Sequence, residues 1–226
     1  MKNIFVLFVL LILAFNANVI NAQTEDNSKE ITNVSKINSL LKEGYEFVEK
    51  NLYLKNSNVF ILRYDNGSYG LILRNGEWLI EPYTKDDYEY CGEGCGINAG
   101  FILYKKNISY DEKIKILIDP KKGEKICTIT YNRENESQKM KELTLALVNG
   151  LLNANLQSLP NGCDYISVDQ GTAAEDGYCL FKSENNGESA IDKNGKLLIS
   201  GKRNVLYLGN NLFLVEDDDW SLVEIK

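Results

Sequence analysis

The chain has no histidine at any of its 226 positions. Imidazole is the general base of Ser-His-Asp and Cys-His catalysis, a frequent zinc ligand and the usual titrating group of pH switches. The composition therefore excludes these two catalytic mechanisms, every zinc site that needs a histidine, and histidine-based pH sensing.

Basic side chains are the minority among the charged residues. The chain has 25 lysines and arginines against 32 aspartates and glutamates, which gives a formal net charge of −7. A surface of this sign is repelled by nucleic acids and by anionic membranes. We therefore expect no nucleic-acid partner, and either a basic partner or plain colloidal stability fits the charge better.

A long apolar run occurs only near the N-terminus. Lys2 precedes the nearly unbroken apolar stretch 4–15, and Ala22 is a small residue suited to signal-peptide cleavage. The run is too short to span a bilayer comfortably, and the alternative interpretation is an uncleaved N-terminal anchor. The sequence predicts a signal peptide over 1–22, a mature chain from Gln23 without a membrane span, and a secreted or periplasmic location.

The five cysteines are interpreted through this predicted compartment. In an exported chain disulfides are the default, and an odd number of cysteines allows two bridges at most. Cys163 and Cys179 flank a polar, Gly-rich loop and are the first predicted pair. A second bridge is predicted among Cys91, Cys95 and Cys127.

The hydrophobic period changes along the chain. Residues 23–57 are predicted to form a flexible start and a capping helix, with helical apolar spacing from about Ser35, the predicted N-cap, to Lys50. From residue 58 the period becomes two, which is typical of strands, and a broad apolar band at about 135–157 indicates an inserted helix. We predict a mainly β fold, in which 58–226 is an antiparallel β-hairpin repeat array with an N-terminal helix and one inserted helix.

A short cassette occurs twice within the predicted array. Residues 68–81 and 187–200 each contain an apolar strand, an Asn-Gly pair and a second apolar strand. The pairs Asn75-Gly76 and Asn194-Gly195 favour type I′ hairpin turns, in which both central residues have positive φ. Because one hairpin cannot bury its apolar face alone, stacked copies are predicted to share a continuous core.

These cassettes resemble the units of the WG-repeat family of bacterial β-repeat proteins, which read approximately W-G-x-I-D-x-x-G-K-x-V-I-x-P. Tyr69–Pro82 and Ala190–Ile199 are similar to this unit, and Ile118–Ile126 is a degenerate third copy. Tyr69 stands in place of the family's tryptophan, and Glu188-Ser189 in place of its Trp-Gly pair. The resemblance implies an antiparallel β-array in a secreted or envelope protein that mediates interactions, and it transfers no catalytic residues.

An acidic, aromatic loop is the candidate binding surface. Tyrosine rings beside carboxylates are suited to contact a sugar or a peptide. The alternative is that these are ordinary loop tyrosines in a chain that has 13 of them. The candidate binding residues are Tyr83, Asp86, Asp87, Tyr88 and Tyr90.

Two further patterns suggest metal or redox chemistry. Cys91 and Cys95 have C-x-x-x-C spacing rather than the C-x-x-C spacing of redox motifs, and a disulfide is the simpler interpretation. The acidic run 216–219 lacks the alternating spacing of a Ca²⁺ loop, so a solvated turn is predicted there. We predict no catalytic residue, no metal site and no cofactor.

The predicted function is an exported, non-catalytic binding or scaffold protein whose partner is a protein or a cell-envelope component. The first alternative is an extracellular hydrolase that uses two carboxylates on a polysaccharide or another polymer. The second is an envelope-stress or toxin-associated factor with one specific protein partner. A cleft with two facing carboxylates would favour the hydrolase, and an exposed aromatic-rich face would favour the binding protein.

Overall fold

The computed structural model describes residues 32–48, 56–64, 67–82, 93–163, 165–167, 170, 172–183 and 187–226. Within these ranges the chain forms two helices and 14 strands, and the strands form four antiparallel sheets. This architecture confirms the predicted mainly β array of antiparallel hairpins with an N-terminal helix and an inserted helix.

The four sheets follow one another along the chain, and neighbouring strands within each sheet are consecutive in the sequence. The two helices are α1 (Val34–Lys42), which precedes sheet 1, and α2 (Glu136–Leu152), which separates sheets 2 and 3. Sheet 1 contains β1 (Glu46–Phe47), β2 (Val59–Arg63), β3 (Tyr69–Leu73) and β4 (Trp78–Ile80). Sheet 2 contains β5 (Glu93–Asn98), β6 (Phe101–Asn107), β7 (Lys113–Asp119) and β8 (Glu124–Tyr131). Sheet 3 contains β9 (Tyr178–Ser183), β10 (Gly187–Asp192) and β11 (Leu197–Lys202), and sheet 4 contains β12 (Asn204–Gly209), β13 (Leu212–Glu216) and β14 (Trp220–Glu224).

The core is divided among four apolar clusters that link these layers in chain order. Helix α1 packs on one face of sheet 1 through Leu40, Leu62 and Ile72, and a second cluster joins sheet 1 to sheet 2. The largest cluster lies under α2 and joins sheet 2 to sheet 3, and the fourth joins sheet 3 to sheet 4. Sheets 1 to 3 therefore contribute to two clusters each, whereas sheet 4 contributes to one cluster of the described residues.

Helix α1 is shorter than the predicted helix. It begins after Asn33, whose side-chain oxygen accepts a hydrogen bond from the Lys36 N–H at 3.0 Å, so the predicted N-cap Ser35 is wrong by two residues. It ends because Gly44 has a φ of 100° and the Tyr45 N–H donates back to the Leu40 carbonyl at 3.2 Å. This reversed 6→1 bond terminates a helix, and the next residues pair as a strand instead of continuing to Lys50 as predicted.

Helix α2 confirms the predicted inserted helix, and the structure shows that it ends at Leu152. Asn153 has a left-handed φ of 46° and stops the helix, whereas Gly150 lies inside it. A Cβ at Gly150 would lie 3.1 Å from the ring of Phe101 on β6. Glycine at this position therefore allows the helix to approach sheet 2 closely, which outweighs its low helix propensity.

The hairpin turns of the two cassettes differ from the predicted type I′ geometry. Gly76 and Gly195 have φ values of 91° and 78°. Asn75 and Asn194, which precede them, do not have a positive φ. In each turn the glycine N–H donates to the carbonyl three residues earlier, at 2.9 Å in both cases. These are type I turns closed by a left-handed glycine, so the type I′ prediction is wrong for both.

Candidate functional site

Sheet 4 has one face directed into the core. Val205, Phe213 and Val215 alternate with more exposed neighbours along β12 and β13, and each is at most 4% exposed. They meet Tyr178 and Leu180 of sheet 3 in one apolar cluster. This alternation fixes which side chains of the sheet must point away from the core.

The opposite side of sheet 4 is also apolar, although the described residues leave it uncovered. Leu206, Leu214 and Leu222 lie directly opposite one another across the three strands. Trp220 lies two residues before Leu222 on β14, and therefore on the same side of the sheet, opposite Glu216 of β13. Leu206 is 49% exposed, Leu222 is 62% exposed and Trp220 is 50% exposed. We call these four apolar side chains, Leu206, Leu214, Trp220 and Leu222, the outer face.

Contacts with sheet 3 hold sheet 4 in place beneath the outer face. The Tyr207 hydroxyl donates to the Asp176 carboxylate at 2.6 Å, and the Tyr178 hydroxyl donates to the Asn211 side chain at 2.8 Å. The rings of Tyr178, Tyr207 and Phe213 pack at centroid distances between 4.9 and 5.4 Å. The sheet is therefore a supported platform, since its inner face is both packed and hydrogen-bonded.

Acidic groups lie at both ends of the outer face. At the β13–β14 turn, Glu216 pairs with Arg203 at 3.5 Å and Asp217 pairs with Lys202 at 2.7 Å, and the hydrogen bond from Lys202 lowers the pKa of Asp217. The two basic groups nearest this turn are thus engaged. Asp218 and Asp219 remain exposed at the same end.

The acid at the other end is Glu224, which is exposed on the last residue of β14 and lies opposite Leu212. Neither Glu224 nor the two exposed aspartates of the turn forms an ion pair with a described residue. The turn itself is closed by a backbone hydrogen bond from Asp217 to Asp219 at 3.3 Å. This agrees with the predicted hairpin turn, which the acidic residues occupy as a surface loop.

The sequence analysis did not identify the outer face. A usable signal was present, because residues 205–208 and 212–215 are continuous apolar runs rather than alternating ones. Continuous runs indicate strands that are apolar on both faces. Sheets 1 to 3 each contribute to two apolar clusters, whereas the outer face of sheet 4 is exposed.

A cleft with a volume of about 560 Å³ lies beside the turn after β7, and it contains two carboxylates, Asp119 and Glu175. Asp119 is already used by the turn: one carboxylate oxygen accepts from the N–H groups of Lys121 at 2.9 Å and Lys122 at 3.2 Å. The other oxygen lies 3.8 Å from the Lys122 ammonium. Asp119 therefore has a structural role, and the cleft gives no specific support to the hydrolase alternative.

The predicted aromatic binding loop lies in a part of the chain that the structure does not describe. Its five candidate residues, Tyr83, Asp86, Asp87, Tyr88 and Tyr90, lie outside the described residues, as does Cys91. The predicted signal peptide over 1–22 also lies outside them. These three predictions stay predictions.

The four described cysteines, Cys95, Cys127, Cys163 and Cys179, are thiols rather than disulfides in the structure. Cys95 lies in β5. Cys163 and Cys179 are 3% and 0% exposed and belong to the same apolar cluster under α2, against which Cys127 also packs. Burial raises the pKa of Cys179 to about 12, with a smaller contribution from Cys163. The structure thus gathers three of the cysteines around one core, and their pairing stays a prediction.

In the reduced, folded protein we expect iodoacetamide to modify Cys95 much faster than Cys163 or Cys179. Alkylation requires the thiolate, and burial raises the pKa of Cys179 from 9.0 to about 12, which lowers its thiolate fraction by about a thousandfold. Cys163 is protected by its burial, because it is 3% exposed. Peptide mass spectrometry after a timed reaction measures the three rates, and denaturant should equalise them. Equal rates in the folded protein would contradict the buried positions.

Repeating the reaction on denatured, unreduced protein tests the Cys163–Cys179 bridge, because a disulfide blocks both sites until reductant is added.

In the described part of the chain, no group of three or more cysteine, aspartate or glutamate side chains is placed to hold a metal ion. Neither of the two described helices has the length and apolar character needed to cross a membrane.

Comparison with known proteins gives little further information. No family model matches the chain, and no curated protein matches it. A crystal structure of an uncharacterized protein from Listeria monocytogenes is similar over 78% of this chain, with a TM-score of 0.35 and 10% sequence identity. The similar region spans 60% of that protein's length. A likeness this distant carries no argument about function.

Proposed function

We propose that this protein is an exported, non-catalytic binding or scaffold protein built from WG-like repeats. Its partner is a protein or a cell-envelope component, and its location is periplasmic or extracellular. The observation that carries this proposal is the outer face of sheet 4, where apolar side chains are exposed on a supported platform at one end of the stack.

The physical argument rests on the continuity of this face. The largest apolar patch on a soluble monomer typically covers a few hundred Å² and is often a functional surface. Scattered exposed leucines are normal, but Leu206, Leu214 and Leu222 form one continuous cross-strand row with Trp220 beside it. Exposed aromatic and aliphatic side chains of this kind are the usual anchors of protein interfaces.

A second argument comes from the rest of the stack. Each of the other sheets has side chains on both faces packed in apolar clusters, against α1 or against a neighbouring layer. Sheet 4 has the same two-sided apolar composition and lacks the second covering layer among the described residues. A partner that packs on the outer face would complete the arrangement that the other three sheets already have.

We expect the double substitution Leu206→Ser/Leu222→Ser to abolish partner binding without unfolding the protein. Both side chains are about half exposed or more, so their removal costs little folding free energy, while an interface would lose two central anchors, on the order of 2 kcal/mol or more. Envelope or secreted proteins captured by the wild-type chain are identified by mass spectrometry, and each is purified and titrated directly. Emission from Trp220 should shift to shorter wavelength when a true partner covers it.

The matched control is Leu197→Ser/Ile126→Ser, which removes two exposed apolar side chains, each 37% exposed, from sheets 3 and 2. This variant should bind as the wild type does. A purified partner that binds both double variants equally well would show that the outer face is not the binding site.

A further inference from the structure

We propose that the outer face binds a short apolar protein segment, a strand or hairpin, that carries basic side chains at both of its ends. This inference rests on the proposed function, since it specifies the partner of the same surface. It is carried by the distribution of charge around the outer face and by the size of that face.

The charge at each end of the outer face is acidic and exposed. Asp218 and Asp219 lie at the turn next to Trp220, and Glu224 lies at the far end of β14. Glu224 lies four positions after Trp220, so these ends are about 13 Å apart along the strand. An apolar segment with lysine or arginine at each end would place its cations against both acidic groups.

The cations beside the β13–β14 turn do not pair with these acids, because Lys202 and Arg203 are engaged with Asp217 and Glu216 at 2.7 and 3.5 Å. The Glu216 carboxylate also accepts a hydrogen bond from the Asn204 side chain. At the other end, Lys226 is exposed two positions after Glu224 and forms no ion pair with it. The acids that remain exposed therefore define the field that an approaching partner meets, and opposite charge at the rim of an interface increases both specificity and association rate.

A second copy of this chain is a poorer occupant. The outer face extends over three strands and about 13 Å, an area on the order of a few hundred Å², whereas a stable standard interface buries about 800 Å² on each partner. Two copies packed face to face would also bring acidic ends together in a chain whose net charge is −7. A small segment of opposite charge fits the limited area of the outer face and complements its acidic ends.

The test uses a fluorescent peptide of alternating leucine and threonine with lysines at both ends, and a twin with glutamates in place of the lysines. Anisotropy measures binding to the full protein, and Trp220 emission reports whether the outer face is covered. We expect the lysine peptide to bind at least about tenfold more tightly than its twin at low salt, with the difference shrinking as salt rises.

Two charge variants separate a local effect from net charge. Asp218→Asn/Asp219→Asn/Glu224→Gln should remove most of the preference for the lysine peptide. Asp111→Asn/Glu112→Gln/Glu134→Gln removes the same number of exposed acids elsewhere and should leave the preference intact. An equal loss in both variants would show that only net charge matters, which overturns the inference.

The remaining outcomes distinguish this inference from the proposed function. If both peptides bind equally and Leu206→Ser/Leu222→Ser abolishes both, the face binds but the basic partner is wrong. A dimer in sedimentation that the same double substitution dissociates would likewise replace the basic segment by a second copy. If Trp220 is already shielded from a soluble quencher in the monomer, the chain covers its own outer face and the inference fails. Peptide binding that is insensitive to the leucine substitutions would overturn both proposals.

Discussion

Replacing Phe213 by alanine should lower the free energy of unfolding by about 3–5 kcal/mol, the range typical of a fully buried phenylalanine. Phe213 is 0% exposed and lies at the centre of the cluster between sheets 3 and 4. Its ring contacts the rings of Tyr178 and Tyr207 at centroid distances of 5.3 and 4.9 Å. The substitution removes these contacts and leaves a cavity that rigid strands on both sides cannot close.

Urea unfolding monitored by circular dichroism measures this loss, and Leu222→Ala is the matched control. Leu222 is on the next strand of the same sheet but points to the opposite side, where it is 62% exposed. Its truncation should change stability by no more than about 0.5 kcal/mol. Comparable losses for the two substitutions would mean that both faces of sheet 4 are buried, and the outer face would then be wrongly assigned.

Gly70→Ala is expected to lower the free energy of unfolding by about 1–3 kcal/mol through overpacking. Gly70 is a buried residue of β3, and a Cβ there would lie 2.6 Å from the Trp78 ring and 2.8 Å from the Pro82 ring. The Trp78 ring is itself packed against Tyr45 at a centroid distance of 5.6 Å. The added methyl group must therefore displace an aromatic side chain that has little free space.

Gly96→Ala is the comparison that isolates this packing effect. Gly96 also lies in a strand, also lacks a positive φ, and has nothing within 4 Å of the position that a Cβ would take. Alanine there should raise stability by about 0.4–1 kcal/mol, because it restricts the unfolded chain. The two alanine substitutions are thus expected to have opposite signs in the same unfolding assay. The same sign for both would contradict the close approach of Trp78 to β3.

The sequence was sufficient for the mainly β class and for both helices because these depend on local periodicity. The helical band of residues 135–157 matches α2 closely, since Leu143, Leu147 and Val148 are buried as their spacing requires. The length of α1 was overestimated because the apolar spacing continues beyond Gly44. The positive φ of that glycine, rather than the loss of periodicity, ends the helix.

Turn geometry shows the limit of dipeptide signals. The Asn-Gly pairs do reverse the chain, yet Asn75 instead accepts a hydrogen bond from the Glu77 N–H with its side chain, at 2.9 Å. Two-residue turns with positive φ at both positions occur at Ala99-Gly100 and Asn210-Asn211. The competition between side-chain and backbone hydrogen bonds decides this choice, and residue identity alone does not reveal it.

The candidate site was not predicted because burial of a strand's second face is a tertiary property. The apolar run at residues 205–208 has the same composition as strands that are covered on both sides. Its exposure follows from the position of sheet 4 at the end of the stack, which depends on how all four sheets are arranged. Sequence periodicity identifies apolar faces, but it does not identify which of them a neighbour covers.

The shared hairpin turn has a consequence for how such a chain diverges during evolution. Turns at residues 64–68, 73–77 and 192–196 have the same two backbone hydrogen bonds and the same left-handed glycine. Each turn therefore constrains one glycine strictly, and the strands must keep apolar character on the faces that pack. As such a chain diverges, units that keep this glycine and these apolar positions can differ at their other residues and still share one turn geometry.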